Sequence, residues 1–144
     1  MSTHTADTTA TSSSATPAAA ATSPITWFEI PVADLDRAQR FYEALLATTL
    51  RREAMGPTNT LAVFPYTQPG VGGCLKHDAA VVRPSADGTL IYLDAGPALD
   101  VTLARVAALG GRITTPRVDL PDGMGCFAHV LDSEGNRLGL HAMA

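Results

Sequence analysis

The first regular alternation of apolar and polar residues along the chain predicts a β-strand. Phe28, Ile30 and Val32 fall on one side of this strand, and Trp27 and Glu29 fall on the other. Because successive side chains of a strand point to opposite faces, the apolar set marks the side that packs in the core. The opposite side carries an indole and a carboxylate.

A helical period follows this strand. Asp34 is in position to cap the first turn, and Leu35, Ala38 and Leu45 recur at the spacing of one helix face. Turn formers then separate three short β-prone runs, at residues 48–52, 59–64 and 72–76. The order of strand, helix and three-stranded meander predicts a first module of residues 24–77.

The same order occurs again in residues 88–144. A strand is predicted at 89–95 and a helix at 98–109, with Pro97 near the start of the helix and Gly110 after its end. Three further strands are predicted at 112–118, 125–132 and 137–141. The sequence therefore predicts an α+β fold in which two paired βαβββ modules form a cup-shaped mixed β-sheet domain, with helices on the outer face.

The sheet faces that the helices leave uncovered carry both aromatic and ionisable side chains. We call these faces together the cup face. The alternation of side chains along each strand, which we call strand parity, assigns eight residues to the cup face: Trp27, Glu29, Leu90, Tyr92, Asp94, Arg137, Gly139 and His141. This mixture is typical of a pocket for a small polar or aromatic ligand, and a solvated sheet face carries such residues too.

Composition narrows the classes of function. A chain of 144 residues with 46% hydrophobic and 17% charged residues suits one globular domain. The formal net charge of −4 and the scattered basic residues argue against a nucleic-acid partner. No apolar run approaches the roughly 18 residues that span a bilayer, so we expect no membrane insertion.

Two further features of composition concern location and order. The two cysteines, Cys74 and Cys126, are too few for a disulfide scaffold, and we expect a cytoplasmic protein. Residues 1–23 are almost wholly Ser, Thr and Ala, with too little large apolar surface to offset the entropy of ordering. We therefore predict a disordered tail at residues 1–23, followed by one domain at 24–144.

Several motifs resemble the vicinal-oxygen-chelate superfamily of glyoxalases, bleomycin-resistance proteins and dioxygenases. They are ITWFEIPVADLDRAQRFY at residues 25–42, VGGC at 71–74, the helix ending in ALGG at 108–111, and DSEGNRLGLH at 132–141. The resemblance is strongest to a branch of uncharacterised proteins related to lactoylglutathione lyase. It implies the paired-module fold, a small organic ligand in the cup between the modules, and a homodimer.

The resemblance also assigns the positions that hold a divalent metal in enzymes of this superfamily. In this chain those four positions fall on Trp27, Cys74, Leu90 and Gly139. Tryptophan, leucine and glycine side chains offer no ligand atom, and a single cysteine does not hold a catalytic ion. We therefore expect no metal or other cofactor at this site.

Candidate functional side chains come from the cup face. Glu29 and His141 are candidates for acid and base catalysis, because a carboxylate near an imidazole can move protons. The alternatives are a hydrogen-bonded structural pair, or two residues that never meet. Four residues are candidates for ligand binding: Trp27, Tyr92, Cys74 and Arg137. His77 and His129 have no partner at metal-ligand spacing, and we predict surface or core roles for both.

Three functions are consistent with these residues. The leading hypothesis is a metal-independent small-molecule-binding protein with its ligand in the cup, and catalysis is left open. An alternative is a glyoxalase-like lyase or isomerase, which uses Glu29 and His141 as acid and base or holds a displaced metal with the help of Asp94. A third is an interaction domain whose own side chains fill the cup.

Overall fold

The computed structural model describes residues 23–78, 80 and 82–144. The first module contains β1 (Trp27–Pro31), α1 (Leu35–Leu46), β2 (Arg51–Met55), β3 (Asn59–Val63) and β4 (Gly72–His77). The second contains β5 (Tyr92–Asp94), α2 (Leu99–Val106), a 3₁₀ turn (Ala107–Leu109), β6 (Arg112–Asp119), β7 (Cys126–Leu131) and β8 (Arg137–Ala142). The predicted α+β class and the order of the elements are confirmed. The tail predicted for residues 1–23 lies, except for Ser23, outside the described residues.

The strands form two four-stranded sheets with the same plan. The strand order is β1-β4-β3-β2 in one and β5-β8-β7-β6 in the other. In each sheet the first and last strands of the module pair in parallel, and the meander pairs are antiparallel. In the part of the chain that the structure describes, β1 and β5 are therefore edge strands, each with an unpaired side.

Both helices cover the face of the sheets that strand parity assigns to the core. α1 packs on β3 and β4, α2 packs on β6, β7 and β8, and the helices contact each other. On this face Ile30, Val32, Leu93, Leu138 and Leu140 are all buried in one cluster under the helices, and Phe28, also predicted on the core side, is partly buried against it. Burial of this continuous apolar set is the main favourable contribution to folding.

The observed ends of the helices match the ends predicted from the sequence, with one exception. Asp34 caps α1, and its carboxylate accepts a hydrogen bond from the Arg37 amide at 3.0 Å. Pro97 does not occupy the first turn of the second helix, because the N-cap is Ala98 and α2 begins at Leu99. The predicted helix at 98–109 ends as a 3₁₀ turn before Gly110.

Two predicted strands differ from those observed. The run at 48–52 becomes β2 at Arg51–Met55, because the hairpin with β3 pairs Arg51 with Val63 and leaves Leu50 buried in the core. The strand predicted at 89–95 shortens to Tyr92–Asp94, so Leu90 precedes the strand. β5 pairs with only three residues of β8, and just before β5 the Ile91 carbonyl accepts a hydrogen bond from the Gly139 amide at 2.8 Å.

The loop between β7 and β8 ties the two modules together. The Tyr42 hydroxyl in α1 donates to buried Asp132 at 2.5 Å. The Asn136 amide donates to the carbonyl of Pro31 at 2.8 Å, and its oxygen accepts from the Ser85 amide. This loop therefore fixes the first helix and strand of one module against the other. No helix in the described part of the chain is long and apolar enough to cross a membrane.

Glu134 in the same loop makes a pH-dependent contact with α1. Its carboxylate accepts from the backbone amides of Ala33 and Asp34 and pairs with Arg37, whose Nε lies 2.7 Å away. Burial acts to raise the pKa of the Glu134 carboxyl. The hydrogen bonds from Arg37, Asp34 and Ser133 outweigh it, so the pKa is lowered from its ordinary value.

A lowered pKa in the folded state predicts acid-sensitive stability. The contribution of Glu134 is fully present above its unfolded pKa, about 4.3 for a free glutamate, and is lost as the pH falls through the folded value. We expect Glu134→Gln to be less stable than the wild type near neutrality and the gap to close in acid. Urea unfolding from neutral to acidic pH measures the difference in stability between the variant and the wild type, with Glu53→Gln as the exposed control. A gap independent of pH would contradict the assignment.

Candidate functional site

The cup face of the first module has an acidic and apolar surface. Glu29 on β1 lies beside two residues of the neighbouring β4. Its carboxylate oxygens are 3.5 Å from the Lys76 ammonium and 3.7 Å from the Cys74 sulfur. Leu61, Val63 and Cys74 form a small buried cluster on the same face. Glu29 and Cys74, two of the candidate residues, therefore lie on one face of this sheet.

Cys74 has a thiol that stays protonated near neutral pH. Burial, and then the negative charge of Glu29, raise the pKa of the Cys74 thiol to about 11. A thiol is a poor nucleophile and a poor metal ligand until it loses its proton. Cys74 and Cys126 are both buried and free. Cys74 therefore suits a wall of the cup better than a reacting group.

Two aromatic residues lie at the edge of the cup face, which we call the rim of this module. Trp27 is 38% exposed and meets Tyr66 edge to face, with ring centroids 5.8 Å apart. Both rings lie over Gly72, where an added Cβ would be 2.6 Å from the Tyr66 ring and 2.8 Å from the Trp27 ring. The glycine in the VGGC motif thus allows two aromatic rings to lie close to β4. Such rings offer a large apolar surface to a ligand.

The cup face of the second module carries a connected polar cluster. The Tyr92 hydroxyl on β5 lies 2.8 Å from Nε2 of His129 on β7. The other ring nitrogen, Nδ1, lies 3.1 Å from the Thr115 hydroxyl and 3.3 Å from an Arg137 guanidinium nitrogen. Phe127 packs on both rings, with centroids 5.9 Å from Tyr92 and 5.3 Å from His129. Two of the predicted ligand-binding residues, Tyr92 and Arg137, are therefore joined by a histidine.

Clefts lie along the seam between the modules, beside β1 and β5. One has a volume of about 460 Å³, and its wall includes Trp27, Glu29 and Arg137. The other has a volume of about 830 Å³, and its wall includes Phe28 and Tyr92. Both volumes fall within the range of ligand pockets. Trp27, Glu29 and Arg137 thus line one cleft although they come from different modules.

The predicted pair of Glu29 and His141 has separate partners. Glu29 contacts Cys74 and Lys76, whereas Nε2 of His141 lies 2.7 Å from the carbonyl oxygen of Met124. Among the described residues, no hydrogen bond joins the two side chains. Their acid and base roles stay a prediction. The 121–125 loop, which includes Met124, is a hairpin turn in which the Leu120 amide donates to the Gly125 carbonyl and the Met124 amide to the Pro121 carbonyl.

Comparisons with known proteins agree on the fold. The family model described as bleomycin resistance protein-like N-terminal matches residues 24–46, which contain β1 and α1. No curated protein matches the sequence at a significant level. Solved structures that resemble the chain include the glyoxylase/bleomycin resistance protein/dioxygenase domain from Frankia sp. EAN1pec. Its TM-score is 0.60 at 21% identity, covering 83% of this chain and 97% of that one.

Two further structures extend this likeness. A glyoxalase I mutant from Zea mays has a TM-score of 0.60 at 19% identity, over 83% of this chain and 47% of its own. The chain thus spans about half the length of the maize protein. The fosfomycin resistance protein FosX from Listeria monocytogenes has a TM-score of 0.58 at 16% identity, and the match covers 83% of this chain and 93% of FosX. The chain has the vicinal-oxygen-chelate fold. The resemblance stated from sequence motifs is confirmed at this level.

The four positions that the resemblance assigns to a metal carry residues that do not suit one. Trp27 faces the rim, Cys74 holds its proton, and Leu90 precedes β5. An added Cβ at Gly139 would lie 2.2 Å from the Tyr92 ring, so the space for a ligand side chain there is already filled. Residues 23–78, 80 and 82–144 contain no group of three or more His, Cys, Asp or Glu side chains arranged to hold a metal ion.

Sequence reasoning missed the importance of His129 and Phe127. We predicted a surface or core role for His129, whereas it joins Tyr92 to Arg137 on the cup face. Strand parity contained the signal, because Phe127 and His129 alternate with the buried residues of β7. The partners of His129 come from β5, β6 and β8, and no local pattern relates those strands to one another.

Proposed function

We propose that this protein binds a small organic molecule in the cup between its modules and needs no divalent metal to do so. The observation that carries the proposal is the 460 Å³ cleft, whose wall combines the Trp27 indole with the charged side chains of Glu29 and Arg137. Ligand pockets typically combine an apolar wall with a few polar groups that orient the ligand. An aromatic organic anion of modest size suits this combination.

The fold comparisons support binding and leave the chemistry open. The similar structures include proteins named as a glyoxalase and as a fosfomycin resistance protein, so one fold serves unlike activities. The lack of ligand atoms at Trp27, Leu90 and Gly139 supports metal independence in this chain. The homodimer and the acid–base alternative stay predictions.

Trp27 provides a direct test, because it is the only tryptophan in the chain. Titration with benzoate, a small aromatic anion, is expected to change the Trp27 fluorescence saturably. We expect Trp27→Leu to weaken benzoate binding up to about tenfold in ligand-observed NMR, since an aromatic contact contributes roughly 0.5–1.5 kcal/mol. Val101→Ala, an exposed apolar change on α2, is the control and should leave the affinity unchanged.

Metal independence has its own measurement. Dialysis against EDTA should leave benzoate binding unchanged, and elemental analysis of untagged protein should find no stoichiometric metal. Equal affinity of Trp27→Leu and wild type would contradict the location of the site. Loss of binding after EDTA, restored by a divalent cation, would contradict metal independence. Native mass spectrometry of gently purified protein would then identify any co-purified ligand.

A further inference from the structure

Four residues form one row across the second sheet. The strand register places Tyr92 of β5 beside Gly139 of β8, Gly139 beside His129 of β7, and His129 beside Thr115 of β6. Residues in one row share a face, so this row lies on the cup face. The one member without a side chain is Gly139, which leaves room above β8.

Gly139 lets the Tyr92 side chain reach across β8. An added Cβ at that glycine would lie 2.2 Å from Cδ1 and 2.5 Å from Cε1 of the Tyr92 ring. The ring thus lies directly over the backbone of β8, and its hydroxyl meets Nε2 of His129 at 2.8 Å. Any other residue at 139 would displace the ring and break this contact.

The neighbours of His129 determine which ring nitrogen carries the proton. A guanidinium group donates hydrogen bonds and cannot accept them, and Arg137 lies 3.3 Å from Nδ1. Nδ1 is therefore the acceptor, and the Thr115 hydroxyl at 3.1 Å donates to it as well. An N–H on Nδ1 would instead face the N–H groups of Arg137. A neutral ring then has its proton on Nε2.

A proton on Nε2 fixes the direction of the next hydrogen bond. Nε2–H donates to the Tyr92 oxygen, so the phenolic proton is not used within the cluster. Burial, and then the charge of Arg137, lower the pKa of His129 from its ordinary value, which favours the neutral ring at neutral pH. Tyr92 is 49% exposed, so its O–H can point away from the sheet toward a ligand.

We infer that Tyr92 is a hydrogen-bond donor in the 830 Å³ cleft, which shares Phe28 and Ile91 with the 460 Å³ cleft, and that it selects ligands with a carbonyl or carboxylate oxygen. This inference rests on the proposed function and names the chemical group that the ligand presents. Arg137 is a positioning residue, because it acts through the tautomer of His129. A hydrogen bond from a neighbouring donor also makes the phenol a stronger donor, since such bonds polarise one another.

The tautomer can be measured without a ligand. Long-range ¹H–¹⁵N NMR of the wild type should show His129 protonated on Nε2. Arg137→Lys keeps a cation that donates to Nδ1 and should keep this tautomer. Arg137→Leu removes the donor and should move population to the Nδ1–H form, in which the ring donates to Thr115 and accepts from Tyr92. An Nδ1–H signal in the wild type would overturn the inference.

Two neutral probes test the donor role. Acetophenone presents a carbonyl acceptor, whereas toluene has a similar ring without one. We expect Tyr92→Phe to bind acetophenone about tenfold more weakly than the wild type, as the loss of one hydrogen bond predicts, and to bind toluene unchanged. Thr58→Val removes an exposed hydroxyl from the turn between β2 and β3, away from both clefts, and is the control. It should bind both probes like the wild type.

The outcomes separate this inference from the proposed function. If Tyr92→Phe loses the same affinity for both probes, or loses none for either, the donor role is overturned and the cup remains a binding site. A lack of binding by acetophenone at millimolar concentration, together with an unresponsive Trp27 fluorescence, would contradict both. Weaker acetophenone binding in Arg137→Leu, rescued in Arg137→Lys, would support the positioning role.

Discussion

Replacing Asp132 with alanine is expected to lower the free energy of unfolding by about 3–5 kcal/mol, because it removes the acceptor of several buried hydrogen bonds at once. The carboxylate accepts from the Tyr42 hydroxyl, from the side-chain and backbone nitrogens of Asn136, and from the Glu134 amide. Burial, and then the charge of Asp132, hold the pKa of the Tyr42 phenol well above its ordinary value. Tyr42 therefore stays a donor and loses its partner in the variant.

The loss should depend on the acceptor and not merely on the charge. Asp132→Asn keeps one carbonyl oxygen and should be destabilised less than Asp132→Ala in urea or thermal unfolding. Asp87→Ala changes an exposed aspartate and should leave stability within about 0.5 kcal/mol of the wild type. If Asp132→Ala were as stable as Asp87→Ala, the 132–136 loop would not be what holds the modules together.

This network has a consequence for binding. Asn136, which is hydrogen-bonded to Asp132, also forms hydrogen bonds with Pro31 at the end of β1 and with Ser85 in the segment between the modules. Asn136 and Ser85 line the 460 Å³ cleft, and Pro31 does too. The geometry of the proposed site therefore depends on the same contacts that join the modules. A loosened Asp132 loop should weaken benzoate binding along with stability.

Local patterns in the sequence predicted the elements and the buried face well. Alternation identified the core side of β1 and β8, and the helical period and Asp34 located α1. These signals are local, since each depends on residues within one strand or one turn. Alternation within β1 also predicted Glu29 on the side opposite Ile30, and in the structure its carboxylate lies 3.7 Å from the Cys74 sulfur.

The contacts between distant segments were not predictable in the same way. Tyr42 and Asp132 are 90 residues apart in sequence, and Tyr92 and His129 are 37 apart. A single sequence does not reveal the register between strands. The alternation along one strand therefore predicts which face of the sheet a side chain lies on, but not which residue of the next strand it contacts. The shortening of β5 has the same origin, because its length depends on how much of β8 it pairs with. The cluster around His129 therefore became visible only with the sheet assembled.

Gly125→Ala is the second substitution for which we expect a large effect, a loss of about 2–5 kcal/mol in the free energy of unfolding. Gly125 has a φ of +83°, which costs a residue with a side chain roughly 1–2 kcal/mol. An added Cβ would also lie 2.2 Å from the Ala142 carbonyl oxygen and 3.0 Å from Met143 Cα. These are backbone atoms, so the clash cannot be relieved by a change of rotamer, and overpacking adds about 1–3 kcal/mol.

Gly123 in the same loop separates the two contributions. Its φ is +70°, but an added Cβ would meet nothing within 4 Å, so Gly123→Ala should lose only the backbone cost of about 1–2 kcal/mol. Thermal unfolding of the two variants measures the difference directly. Equal losses would mean that β8 moves freely away from Gly125. Because His141 bonds Met124 beside this glycine, such freedom would also release the histidine from the loop and make it available to a ligand in the cup.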